Sequence, residues 1–109
     1  MRRSIAVMAL VLASVGVTGC FAGGGGSGGT VWDSLAQCEA GGNWGANTGN
    51  GYYGGLQFSL GTWHAYGGGQ FNYWPHLASR EQQIIVGQRV LAGQGWGAWP
   101  YCASRLGLR

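Results

Sequence analysis

Apolar positions Val31, Trp32, Leu35, Ala36 and Cys38 recur with the spacing of one buried helix face, and predict a short helix over about 31–40. Thr30 can cap its start and Asp33 can complete a capping box. Gly41-Gly42 supply the left-handed conformation that stops it. From Asn43 to Phe58 the pattern changes to short aromatic and polar runs, and Asn50-Gly51 signals a hairpin with very short strands. Ser59 can cap a second helix, Leu60 to Tyr66, with Leu60 and Trp63 inward and Gly67 to Gly69 as its stop. Gln70 to Leu77 reads as an aromatic loop broken by Pro75, either packed as a satellite cluster or exposed as a contact surface. Ser79 caps a third and longest helix, with Gln82 completing a capping box, Ile84, Ile85, Gln88, Val90 and Leu91 continuing it, and Gly95 ending it. Trp96, Trp99 and Pro100 lead to Cys102, which is expected to return to the first helix, and the tail from Ala103 to Arg109 is expected to fray. These elements predict an α+β domain, mainly α, with three helices and a short hairpin.

Ahead of this domain the pattern differs. Arg2-Arg3 precede an apolar run from Ile5 to Val17, the arrangement of an export signal. The run is shorter than the about 20 residues of a membrane span. It ends in Val17-Thr18-Gly19-Cys20, which resembles a lipobox, so residues 1–19 read as a lipoprotein-type signal peptide and Cys20 as the lipidated mature N-terminus. Cleavage near the same place without lipidation is the simpler alternative. Residues 20–29 form a Gly-rich tether, and residues 30–109 form the domain. The expected location is the outer face of the cytoplasmic membrane, through lipidated Cys20, or the cell wall after secretion.

Composition narrows the partners. The 109 residues carry six Lys+Arg, three Asp+Glu and a net charge of +3. With Arg2 and Arg3 ahead of the apolar run, no patch of nucleic-acid size is left, and nucleic acid is excluded as a partner. Six Trp and five Tyr on a weakly charged chain suit a neutral, sugar-like or peptide ligand. The cysteine count is odd, three. If Cys20 carries lipid, Cys38 and Cys102 remain and can pair, a useful staple for so small a core. No Cys/His spacing fits zinc or haem, so no metal or cofactor is expected, and His64 and His76 read as surface or loop residues. No phosphate loop or Ser-His-Asp arrangement is present.

Among the acids, Asp33 has a cap to complete, and Glu81 sits in a first helical turn where negative charge is favoured. Glu39 has no such explanation. It lies in the last turn of the first helix, at the negative end of the dipole. A solvated surface residue is the plain reading. If Trp44, Tyr53 or Trp63 cover it, desolvation raises its pKa and it can keep a proton for a leaving group. That is the acid half of glycoside cleavage, which commonly uses two carboxylates. With the second missing, a muramic acid substrate could supply its own N-acetyl oxygen and C6 hydroxyl, giving a 1,6-anhydro product.

The stretches WDSLAQCEAGGNWGANTGNGYYGGLQFSLGTW and ASREQQIIVGQRVLAGQGWGAWPYC closely resemble the resuscitation-promoting factor domain of actinobacteria, over about Val31 to Cys102. The resemblance implies a small lysozyme-like fold, between c-type lysozyme and soluble lytic transglycosylase, that cleaves peptidoglycan and promotes regrowth of dormant cells. It implies Glu39 as catalytic acid and a Cys38–Cys102 disulfide. Gln57 and Thr62 fall on groove residues that hydrogen-bond sugars, and Tyr53 and Trp63 on groove or core aromatics; Trp44 is taken with them as substrate-binding. Ala40 stands where Ser is common, Ser59-Leu60-Gly61 lies in a varied stretch, and the 71–77 loop is more aromatic than usual. The expected partners are peptidoglycan glycan strands and a cell-wall endopeptidase, with the chain acting as a monomer. Two other classes compete with this reading: a non-catalytic peptidoglycan-binding or signalling module, and an interaction protein that uses the 71–77 loop.

Overall fold

The computed structural model describes residues 29–109, and a compact unit spans Val31–Arg109. The signal segment, Cys20 and the tether up to residue 28 lie outside the described residues. In chain order the domain contains α1 (Val31–Ala40), β1 (Tyr52–Tyr53), β2 (Phe58–Ser59), α2 (Leu60–Ala65), α3 (Arg80–Gln94) and α4 (Pro100–Arg105). Short 3-10 turns at Gly68–Gln70, Pro75–Leu77 and Trp96–Ala98 connect them. Among the described residues no helix is long and apolar enough to cross a membrane.

Local signals place the helix ends. Gly41 and Gly42 take φ of 63° and 80°, and their N–H groups donate to the Gln37 and Ala36 carbonyls at 3.0 and 3.1 Å, closing α1. Ser59 Oγ accepts from the Thr62 N–H at the start of α2. Ser79 and Gln82 form the complete capping box of α3, and Gly95 ends it.

The hairpin differs from expectation. β1 and β2 pair antiparallel, Tyr52 with Ser59 and Tyr53 with Phe58, and reverse through Gly54–Gln57. Asn50-Gly51 instead lies inside a preceding turn closed by a single bridge between Asn47 and Tyr53. There Asn50 Oδ1 accepts from the Tyr52 N–H at 3.0 Å, so the turn signal is used locally and the pairing moves one turn on.

The core joins α1, the hairpin, α3 and α4 through Trp32, Leu35, Leu56, Phe58, Trp63, Val86, Val90 and Trp99. Trp32 meets Trp96 and Trp99 at centroid distances of 5.5 and 5.6 Å. On α3 the buried face is Gln83, Val86, Gly87 and Val90. Ile85 and Gln88, which continue the same helix, are exposed. Gly87 explains part of the choice: a Cβ there would come within 3.0 Å of Leu56 and Trp32, so the bare backbone lets both pack close.

Gln83 explains the rest. Fully buried, it accepts from the Gly55 N–H at 2.9 Å and donates to the Trp44 and Ala78 carbonyls at 2.9 and 3.1 Å. Its amide therefore satisfies three backbone groups, in three different connecting segments, from one helix. Gln83→Leu is expected to leave all three unpaired and to destabilise the domain by about 3 kcal/mol. Chemical denaturation checks this, and a loss below about 1 kcal/mol would show that water replaces the amide.

The C-terminal segment does not fray. α4 is a fourth helix beyond the three expected, with Cys102 and Ala103 buried and Leu108 N–H returning to the Ala103 carbonyl at 2.8 Å. A six-residue helix is too short to hold itself. Pro100 at its start and the packing of Cys102 and Ala103 against the core hold it instead.

Candidate active site

Glu39 is the last but one residue of α1, half-buried where the helix meets the hairpin and the turn into α4. Its carboxyl opens on a cavity of about 430 Å³ lined by Asn50, Tyr52, Gln57, Ala98, Trp99, Pro100 and Tyr101. The bonded pair Cys38–Cys102, with Cα atoms 5.8 Å apart, ties the residue before Glu39 to α4. Glu39 is thus held from both sides of the cavity, by the closed end of α1 and by a covalent link to its far wall.

Burial pushes the Glu39 carboxyl above the usual glutamate range. Among the described residues no cation pairs with it. The other two acids are engaged elsewhere. Asp33 accepts from Arg80 through both oxygens, at 2.8 Å from Nε and 2.6 Å from Nη2. This pair joins α1 to α3, a role beyond the cap expected of Asp33. Glu81 is exposed and takes Arg80 Nη1 at 3.0 Å; its own backbone N–H and then Arg80 hold its carboxyl below the usual range. Neither lines the Glu39 cavity, which therefore contains one carboxyl.

Gln57 lines the cavity and also a smaller adjoining hollow of about 80 Å³, shared with Tyr52, Ala98 and Trp99 and extended by Ser59 and Thr62. Gln57 adopts φ of 55°, in the left-handed region that a non-glycine residue enters at a cost of roughly 1 kcal/mol or more. Its Nε2 donates to the Gly54 carbonyl at 2.9 Å, which aims the amide across the turn. Gln57 and Thr62 thus fall along one groove that begins at Glu39.

The three aromatics expected to cover Glu39 do not line its cavity. Trp63 is fully buried, and its Nε1 donates to the Asn72 carbonyl at 2.8 Å, so it is a core residue rather than a groove residue. Trp44 lies where a Cβ on Gly55 would overlap its ring, with the Arg80 guanidinium carbon 5.7 Å from the ring centroid. Tyr53 faces Trp74 and His76. The rings beside Glu39 in its cavity are instead those of Tyr52, Trp99, Pro100 and Tyr101, which the sequence reading missed. Adjacent strand residues point to opposite faces, so one of Tyr52 and Tyr53 had to enter the groove; the pattern alone did not say which.

A cleft with one half-buried carboxyl at a helix end, floored by a hairpin and closed by one disulfide, defines a small lysozyme-like domain of the transglycosylase type. The family model described as transglycosylase-like domain matches residues 26–102. A resuscitation-promoting factor of Corynebacterium glutamicum is 68% identical over 77 residues, covering 71% of this chain and 40% of that protein. Resuscitation-promoting factor RpfA of Mycobacterium tuberculosis is 54% identical over 104 residues, covering 87% of this chain and 26% of that protein. Resuscitation-promoting factor RpfC, also of Mycobacterium tuberculosis, is 53% identical over 107 residues, covering 97% of this chain and 72% of that protein. The chain belongs to the resuscitation-promoting factor family. It spans less than half the length of the first two of these relatives.

Proposed function

We propose that this domain cleaves the MurNAc–GlcNAc bond of peptidoglycan, and so remodels the wall and promotes regrowth of dormant cells at the outer face of the membrane or in the wall. One observation carries the reading: Glu39 is the single carboxyl of its cavity, unpaired with any described cation and held toward its protonated form by burial. Glu39 gives its proton to the bridging oxygen as the bond to C1 of MurNAc breaks, so the leaving sugar departs as a neutral alcohol. The N-acetyl carbonyl oxygen closes on C1 and takes the positive charge. The C6 hydroxyl then attacks C1, its proton passes to the Glu39 carboxylate, and the N-acetyl oxygen is released. The product is a 1,6-anhydro sugar and the acid is regenerated. Gln57 and Thr62 hold neighbouring sugars by hydrogen bonds, and Tyr52 and Tyr101 offer flat faces at the cavity mouth.

Mass spectrometry of digested peptidoglycan tests this. Anhydro ends are expected; ordinary reducing ends would replace the C6 hydroxyl by water as acceptor, and intact glycan would remove cleavage altogether. The pH profile tests the acid separately. Since the protonated carboxyl is the active form and burial raises its pKa, kcat/KM is expected to fall with rising pH about a midpoint above the ordinary glutamate value. A midpoint at the ordinary value would show that burial does not activate Glu39.

A further inference from the structure

On the other face of the hairpin from Glu39, we propose a second carbohydrate site, which takes one neutral sugar ring in a hollow of about 260 Å³ between Tyr53 and the turn Pro75–Leu77. Asn47, Tyr53, Trp74, His76 and Leu77 line it, and it shares no residue with the Glu39 cavity. Tyr52 and Tyr53 are consecutive on β1, so one strand serves both places with opposite faces.

The rings of this hollow form a set. Tyr53 stacks on His76 at 5.5 Å and meets Trp74 nearly edge-on at 5.3 Å, and Trp74 meets Tyr73 edge-on at 5.2 Å. Yet the apolar faces are not consumed by these contacts: Trp74, Tyr73 and Leu77 are 36%, 58% and 60% exposed. The loop is not simply failing to fold inward. Pro75 is fully buried beneath it, the Trp74 N–H is held by Asn72 Oδ1 at 3.0 Å, and His64 Nε2 meets the Tyr73 carbonyl at 2.9 Å. The backbone therefore holds the aromatics outward against their preference for burial, which marks a contact surface. His76 Nδ1 is buried without a partner, so stacking on Tyr53 rather than a polar bond places that ring.

The chemistry of the lining selects the occupant. No Asp, Glu, Lys or Arg lines the hollow, so a phosphate, carboxylate or ammonium ligand finds no counter-charge. A peptide adding as a strand finds the outer edge of Tyr53 already paired with Asn47. A pyranose fits both features: its C–H face lies against the negative face of an aromatic ring, and its hydroxyls meet the Asn47 amide and the Tyr53 hydroxyl. Two glycan contacts on one small domain raise its effective concentration on a polymeric wall without any gain in turnover.

The test uses the full chain carrying Glu39→Gln, so binding is read without cleavage and stands whether or not Glu39 is the acid. Titration with the N-acetylglucosamine trisaccharide is expected to shift the Trp74 indole N–H resonance, assigned by its loss in Trp74→Phe. Trp74→Ala is expected to weaken binding to insoluble peptidoglycan at least ~fivefold, the scale of losing one aromatic stacking contact, and Trp74→Phe to restore most of it. Leu77→Asp, at an exposed position that leaves the core untouched, is expected to weaken it too. The proposal is overturned if both variants bind walls like the parent, if shifts are confined to the Tyr52, Gln57 and Tyr101 side, or if the patch proves to hold a second copy of the chain, seen as a dimer that Trp74→Ala dissociates.

Discussion

Glu39→Gln is expected to cut the release of soluble fragments from peptidoglycan by ~100-fold or more, the scale of losing a general acid, while the protein stays folded. No other carboxyl can stand in, because Asp33 is clamped by two Arg80 bonds and Glu81 lies outside the cavity. The same variant carries a stability signature. A carboxyl whose pKa is raised by folding binds more protons in the native state, so its contribution is present in acid and is lost as pH rises from the ordinary glutamate value through the raised one. Above that window the native state holds a charge that it would rather not bury. Glu39→Gln should therefore raise the melting temperature at neutral pH, with the gain vanishing in acid. A variant that is inactive and also less stable at neutral pH would mean that Glu39 braces the fold. Undiminished lysis would remove it as the acid and leave a sugar-binding cleft.

The second large effect lies one residue away. Replacing Cys38 and Cys102 together by Ser is expected to destabilise the domain by roughly 4 kcal/mol, from the loop entropy released by a link across 64 residues. For a domain of this size that corresponds to a fall in melting temperature of roughly 15–30 °C. Activity should fall further than unfolding explains, even at low temperature, since the link joins the last turn of α1, which bears Glu39, to α4, which carries Pro100 and Tyr101 of the far wall. Thermal melts and initial rates on the same sample separate the two effects. A loss under about 1 kcal/mol would show that packing of α4 against α1, rather than the link, secures the cavity.

Among the described residues, what was legible in the sequence is local. The bounds of α1, the Ser59 cap, the Ser79–Gln82 box, the Gly41-Gly42 stop and the odd placement of Glu39 at a helix C-terminus each depend on residues within one turn of each other. Such signals survive without neighbours, because a cap or a left-handed glycine satisfies backbone groups of its own segment. The pairing of Cys38 with Cys102 was also readable, on the condition that Cys20 is otherwise used.

Tertiary structure decided which sides of those elements face inward. α3 turns Gln83 to the core because its amide meets backbone groups 28 and 39 residues away, partners that no periodicity reports. Trp63 goes inside because Asn72 receives its indole N–H, and Trp44 leaves the groove because Gly55 and Arg80 flank it. Whether Tyr52 or Tyr53 enters the Glu39 cavity is set by the register Tyr52 to Ser59, a contact between strands. α4 exists only because its Cys102 and Ala103 face has a core to pack on. The sequence by itself determined where this chain turns and which carboxyl stands apart; contacts between distant segments decided what surrounds that carboxyl, because the desolvation that raises its pKa belongs to the cavity and not to the residue.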